Sequence, residues 1–517
     1  MAPRHDWRTP VPEPPSTASS ADSSARERTL GVIVALVTPL FGGGVDTKGH
    51  DAVTLIRGPS VRGQLRFWWR ETHPSRNAWS GDLVELESLL WGSEKVPSPV
   101  VVMTDQPSQS PPRVLRADDN FGLLKNDPAE YALFSAREQR GKSGQPGREA
   151  KDLVAEGAAF RVTLRWPSAD AWVALRRAAN AGRKEKLPEH RVDLDAEVLR
   201  ALTAWLHYGG LGGRTRRGCG AVQLLSIDAE RTSLELQAVP LGERPALPGV
   251  EVFLGAPPSE PESSMRSWSR AVDTLRRFRQ TGRGVRGREH DKSIGSLHLR
   301  GIPGRSKWPE PDSIRAITGM SLRVPGAPAR PPEGADTDTH DHRTPITPAA
   351  VGSFPRAELG LPIVFHFQDG RGARHLREFD GRPGFSSDPP DTTLEAKHPI
   401  REQQGTERFG RMASPVITRP ILLLNGKGDP EWRPAVIFLD RSKALASLEA
   451  RLKGGRSHPV ATSDIRGPKA AHAPPMKPLD EDGKPRPGPG HESALAAFKA
   501  YLVGTLNFRR EGEGDSI

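Results

Sequence analysis

The stretch IRGPSVRGQLRFWWRET, Ile56 to Thr72, sets Arg57, Arg62, Arg66 and Arg70 around two adjacent tryptophans. Guanidinium groups are forked, permanently charged donors suited to phosphate and carboxylate oxygens, and indole rings can stack on bases. Pro59 is tolerated in a first helical turn, so the spacing predicts a helix starting near it. At about 100° per residue, Val61, Leu65, Trp68 and Trp69 then share an apolar face, with Arg62, Arg66 and Arg70 in a stripe beside it and Gly63 leaving bare backbone alongside. Like charges at this spacing repel by about 0.2–0.5 kcal/mol per pair. Only Glu71 is close by, and it points elsewhere, which favours an anionic partner over a merely solvated face. Trp68 reads as core. Trp69 sits at the border of the faces, as core flank or as a stacking platform. Arg57, just before the helix, can join the stripe.

A second basic segment, YGGLGGRTRRGCGAV from Tyr208 to Val222, interleaves glycines with Arg214, Arg216 and Arg217. Glycines such as Gly212 and Gly213 let backbone approach a ligand and can present N–H groups as an anion nest, while the arginines grip phosphate. No Lys-Ser/Thr pair follows the spaced glycines, so this is no Walker A loop. A helix pattern precedes it and a strand pattern follows, the reverse of a dinucleotide fingerprint. RGCGAVQL fits the RNA-recognition-motif signature only superficially, with Cys219, Ala221 and Leu224 where aromatics should stand. Such a loop would hold backbone and stack no bases.

The run Arg276–Gly295, RRFRQTGRGVRGREHDKSIG, is a further RNA-facing strip or an ordinary basic loop, with Lys292 the preferred contact. Metal-independent RNA cleavage needs groups to deprotonate the 2′-hydroxyl and protonate the leaving oxygen. His207, and His290 beside Asp291, belong to no distinctive constellation. DTDTHDHR spaces carboxylates and imidazoles as metal ligands would be, but in a proline-rich stretch that is costly to order. No catalytic set, metal site or cofactor is expected.

The formal charge of +11 suits a polyanionic partner and also plain solubility. One cysteine, Cys219, excludes a disulfide framework or a cysteine-rich zinc site and fits a reducing cytoplasm. No apolar run approaches the roughly 20 residues that span a bilayer, so no membrane partner is expected. Residues 1–28 read as a disordered polar tail without a secretory signal. Glycine and proline cluster in GKSGQPGRE, RVPGAPARPPEGADTDTHDHRTP and GPKAAHAPPMKPLDEDGKPRPGPG, read as long loops between folded segments.

The elements that must position the arginines are a buried strand in TLGVIVALVTPLFGGG, a helix over Leu194–Tyr208 stopped by Gly209-Gly210, and a returning strand AVQLLSID. Further on come a helix around Ser267–Gln280, a strand in LPIVFHF, strands about a turn in ASPVITRPILLLNGKGDPEWRPAVIFLD, and a helix in HESALAAFKAYLVG. Alternating helix and strand patterns predict an α+β fold of two units on small antiparallel sheets, divided between Glu230 and Val250.

TPLFGGG (Thr38–Gly44), IRGPSVRGQLRFWWRET, GGLGGRTRRGCGAV (Gly209–Val222) and RMASPVITRP (Arg411–Pro420) together resemble the RAMP superfamily of CRISPR-associated proteins, in particular the first-numbered subunits of type III-B (Cmr) effectors. GRSKWPEPDSIR (Gly304–Arg315) and LGLPIVFHF look like further family elements. The resemblance implies two ferredoxin-like (RRM-like) RAMP domains with long loop insertions, at 29–232 and 233–517. It also implies a subunit that captures target without cutting it, touching the 3′ region of a CRISPR guide RNA and the target RNA beside other Cmr subunits. Carried over by position, Arg57, Arg62, Arg66 and Arg70 come from the helix block, and Arg214, Arg216 and Arg217 from the loop. Cys219 departs from the family, which often has a larger hydrophobic residue there. Two alternatives stand: a metal-independent endoribonuclease of the same superfamily, and a scaffold whose arginines meet acidic neighbouring subunits.

Overall fold

The computed structural model describes residues 11–12, 27–42, 55–75, 81–94, 96–106, 112–117, 119–123, 127–138, 147, 149–181, 192–233, 238–239, 246–280, 308–318, 347–365, 392–397, 409–454, 457–478 and 486–511. Contacts divide the chain into two units, Met1–Asp273 with Ile417–Asp440 and Gly514–Ile517, and Thr274–Val416 with Arg441–Glu513. Both mix helices with antiparallel sheet.

The first unit runs β1 (Glu27–Leu36), β2 (Leu40–Phe41), α1 (Gly58–Thr72), α2 (Gly81–Trp91), β3 (Val101–Asp105), α3 (Glu130–Leu133), β4 (Ala159–Pro167), α4 (Ala169–Asn180), α5 (Leu194–Tyr208) and β5 (Val222–Asp228). Next come β6 (Val250–Leu254), the start of α6 (Ser264–Gln280), and the hairpin β7 (Val416–Leu424) and β8 (Pro430–Leu439). The main sheet has the order β3-β4-β1-β5, every neighbouring pair antiparallel. With α1 between β1 and β3 and α5 between β4 and β5, the chain reads strand–helix–strand–strand–helix–strand. β1 is central because apolar side chains fill it: Leu30, Val32 and Val34 are wholly buried. These share one core with Val61, Leu65 and Trp68 of α1 and Val198, Leu202 and Trp205 of α5. Truncating one of those tryptophans would cost about 3–5 kcal/mol.

Local signals explain the helix ends. α1 starts with Pro59 in its first turn and no side-chain cap. α5 occupies the expected residues, with Asp193 accepting from the Ala196 N–H at 3.0 Å. α6 begins three residues before the expected Ser267.

In the second unit, Ile363–Phe365, Thr392–Lys397, Ala450–Lys453 and His458–Val460 line up in that order as an antiparallel sheet, with Phe409–Gly410 also on Thr392–Lys397. Ile363 and Phe365 point inward and Val364 outward, as the two-residue period of a strand requires. Two carboxylates, Glu310 and Glu358, are wholly buried. Arg356 lies 3.2 Å from the first and Arg466 3.3 Å from the second. Glu358 also accepts from Ser493 Oγ and the Leu495 N–H at the start of the helix Ala494–Leu506, while its burial raises its pKa. Among the described residues, no helix is long and apolar enough to cross a membrane, and no group of three or more His, Cys, Asp or Glu could hold a metal ion. The DTDTHDHR run lies outside them.

Candidate nucleic-acid interface

α1 carries its arginine stripe as expected, but two of its three arginines are already paired. Glu87 of α2, nearly buried, receives hydrogen bonds from Arg66 Nε and from Arg70 Nη1, the latter at 2.5 Å. Arg66 also donates to the Gly92 carbonyl at 3.3 Å. The repulsion along the helix is therefore relieved largely inside the protein, so it no longer favours an external anion over a solvated face by itself. Arg62 and Gly63 are exposed, and Arg62 has no ion-pair partner among the described residues. Arg57 is half-buried at the helix start.

Trp69 is 0% exposed, and its indole N–H donates to Glu197 of α5, which also holds Arg200 at 2.8 Å. No base can reach that ring, so the stacking alternative is corrected to core. The reason is that α5 covers the flank which, on α1 alone, looks like a border.

Between α5 and β5 the glycine–arginine loop is clamped on all sides. Thr38 donates through Oγ1 to the Gly218 carbonyl at 2.5 Å and accepts from the Ala221 N–H at 2.8 Å. Arg419 of β7, 1% exposed, donates to the carbonyls of Gly209 at 2.8 Å and Val222 at 2.7 Å, pinning both ends of the loop. The Trp268 indole holds the Arg217 carbonyl at 2.7 Å. Gly218, at φ +75°, lies so close that a Cβ there would come within 2.3 Å of the Thr418 carbonyl. Of the expected anion nest, Gly213 is already satisfied within the protein. The N–H groups of Gly213, Gly218 and Gly220 go to the carbonyls of Phe41, Thr215 and Pro39. The glycines serve close packing, with Gly213 against the Phe41 ring and Gly212, at φ +74°, turning the exposed corner. Cys219 fills the space behind, with Trp268 and Phe121 in its cluster, and burial pushes its thiol up to about 12.

What the clamp presents is a set of cations, each against a phenylalanine ring. The Arg214 guanidinium lies 4.7 Å from the Phe134 ring, Arg216 4.9 Å from Phe67 of α1, and the Lys151 ammonium 5.6 Å from Phe41. Phe67 is one turn from Gly63 and from Arg70, so Arg216 brings the loop onto the stripe's side of α1. Arg217 donates to the Arg216 carbonyl at 3.3 Å. Arg214 has backbone φ +58°, and among the described residues its guanidinium donates to neutral groups alone, Ser135 Oγ at 3.2 Å and the Tyr131 carbonyl at 3.4 Å. Its Nε is buried without a hydrogen-bond partner, and it has no ion pair among the described residues. Burial lowers its pKa from the ordinary arginine value.

The arrangement can neutralise an anionic chain and offer it aromatic surface. Of the expected residues, Arg216 reaches Phe67 of α1 while Arg214 lies on Phe134 and Arg217 beside Arg216 in the loop, Arg66 and Arg70 turn to Glu87, and Lys292 lies outside the described residues, as do His290 and Asp291. His207 is half-buried at the end of α5, its ring 5.6 Å from that of Tyr208. Sequence reasoning missed Glu87, Arg419, Phe134 and Lys151. Glu87 and Arg419 had a visible signal, since each is a charge at an inward position of an apolar pattern, LVELESLLW and VITRPILLL.

No curated protein matches the chain's sequence. Structural similarity extends to Cmr1 from Pyrococcus furiosus in its apo form, at 13% identity and TM-score 0.38 over 93% of this chain and 98% of that one. It extends also to a chain in the type III-B Cmr-beta complex bound to cognate target RNA, at 9% identity and TM-score 0.36 over 81% of this chain and 97% of that one. The RAMP superfamily profile matches residues 34–223, from within β1 through the arginine loop into β5. The match to the RAMP superfamily thus covers the stretch that carries the candidate site.

Proposed function

We propose that the chain is a non-catalytic RNA-binding subunit of a type III-B CRISPR (Cmr) effector complex, contacting the 3′ region of the guide RNA and the target RNA. In this reading the β1-α1-β3-β4-α5-β5 unit is a ferredoxin-like RAMP domain, the second unit is its counterpart, and the loop Gly209–Val222 is the RNA-contacting element. One observation carries it. Arg214 is a part-buried cation with no carboxylate partner among the described residues, held over an exposed ring beside Arg216 and Arg217. Desolvating a charge without a counter-ion is costly, and a phosphate arriving from outside repays that cost. Contacts to backbone phosphate carry no sequence information, in keeping with specificity delegated to guide–target pairing.

The test is to incubate the full chain with labelled single-stranded RNA in EDTA. Salt-sensitive binding with intact RNA is expected. Discrete cleavage products would replace this reading with the endoribonuclease. Absent RNA affinity, together with RNase-resistant association with other Cmr subunits, would replace it with the scaffold.

A further inference from the structure

Phe134 is an anomaly on the first unit: a phenylalanine in the turn after α3, 53% exposed although the neighbouring Leu133 and Ala136 are wholly buried. A large ring in water gains nothing by itself, and this one is held in place. The Arg214 guanidinium lies 4.7 Å from its centroid and is pinned by Ser135 of the same turn and by the Tyr131 carbonyl of α3. The ring is thus half exposed while a cation lies over one of its faces. Phe41 and Phe67 have the same cation–ring pairing but are partly covered, so among these three rings Phe134 is the exposed one.

We infer that Phe134 is a stacking seat for one unpaired nucleobase, backed by Arg214 on the opposite face of the ring. The inference rests on the RNA-binding reading of the loop. Rings accept any base because every base has a π face, and guanidinium groups nearby hold the adjoining phosphate. The cations grouped here favour a nucleic acid over an apolar protein side chain. The seat also supplies what the loop itself lacks, since no aromatic stands in RGCGAVQL.

The experiment titrates full-length protein into single-stranded RNA containing 2-aminopurine, reading its fluorescence and the affinity together. Wild type should quench the probe at one position. Phe134→Ala should remove that quench and weaken binding roughly 5- to 150-fold, the equivalent of about 1–3 kcal/mol per stacked base. Phe134→Leu should behave alike and Phe134→Trp should restore both signals. The salt dependence should stay unchanged in all three, because no charge is removed. RNA binding with unaltered affinity and quench in Phe134→Ala overturns the seat and leaves the loop's RNA role standing. Loss of partner-subunit association without loss of RNA affinity overturns it in favour of a protein contact. Failure of the wild type to bind RNA sinks both readings.

Discussion

Replacing Arg214 by methionine tests whether the loop cations neutralise phosphate. The change removes one charge and keeps side-chain length, and methionine can still rest against Phe134. It forfeits two hydrogen bonds to neutral partners, about 1 kcal/mol each, but also relieves a cation buried without a counter-ion, so the fold should survive. For single strands, each neutralised phosphate adds about 0.7 to the slope of log affinity against log salt. Raising salt fourfold thus weakens binding about 2.6-fold per contact, and about 18-fold for three. Arg214→Met should lower the slope by about 0.7, and the triple methionine variant at 214, 216 and 217 by about 2. Arg165→Met, which removes an exposed arginine paired with Glu27 at 2.7 Å on the sheet, is the matched control and should leave the slope alone. Fluorescence anisotropy at four salt concentrations reads all of these. An unchanged slope in the triple variant, or an equal fall in Arg165→Met, refutes the reasoning.

Three other outcomes follow from the same geometry. Arg419→Met should destabilise the protein by about 3–5 kcal/mol in urea unfolding, because it strips charge-assisted bonds from the buried carbonyls of Gly209 and Val222, and should weaken RNA binding although Arg419 is itself inaccessible. Cys219, the single cysteine, should resist a disulfide reagent in the native protein and react fully in denaturant, since its thiol is buried and pushed up to about 12; native labelling within minutes would mean that the core behind the loop opens readily. Burial is the main cause that lowers the His73 pKa from 6.5, so on acidification the unfolded chain takes up that proton first. Stability should be intact above about pH 6.5 and fall below it, and His73→Asn should flatten that part of the Tm-against-pH curve.

Helices and strands were legible wherever apolar spacing was strong, as in α1 and α5, because period and face are local properties. What a neighbour does to a face is not local. Trp69 looks marginal on one helical wheel and becomes core only when Glu197 and the rest of α5 lie across it. The stripe of like charges on α1 is real, yet its neutraliser comes from α2, where Glu87 takes a position between Leu83 and Leu90 that the apolar pattern assigns to the core. Glycines in the loop suggested bare backbone for a ligand; in the fold that bareness lets Gly213 and Gly218 meet Phe41 and Thr418. Pairing between distant strands leaves no periodic trace either. Val250–Leu254 pairs with Ala435–Leu439, which puts the hairpin bearing Arg419 in the first unit.

The most direct test of the central claim is ultraviolet crosslinking of RNA to the full-length chain in its assembled complex, followed by mass spectrometry of the adducts. Adducts at Phe134 and within Gly212–Arg217, lost in the triple methionine variant, are the expected result. Adducts confined to other surfaces, with that loop unmarked, would contradict it.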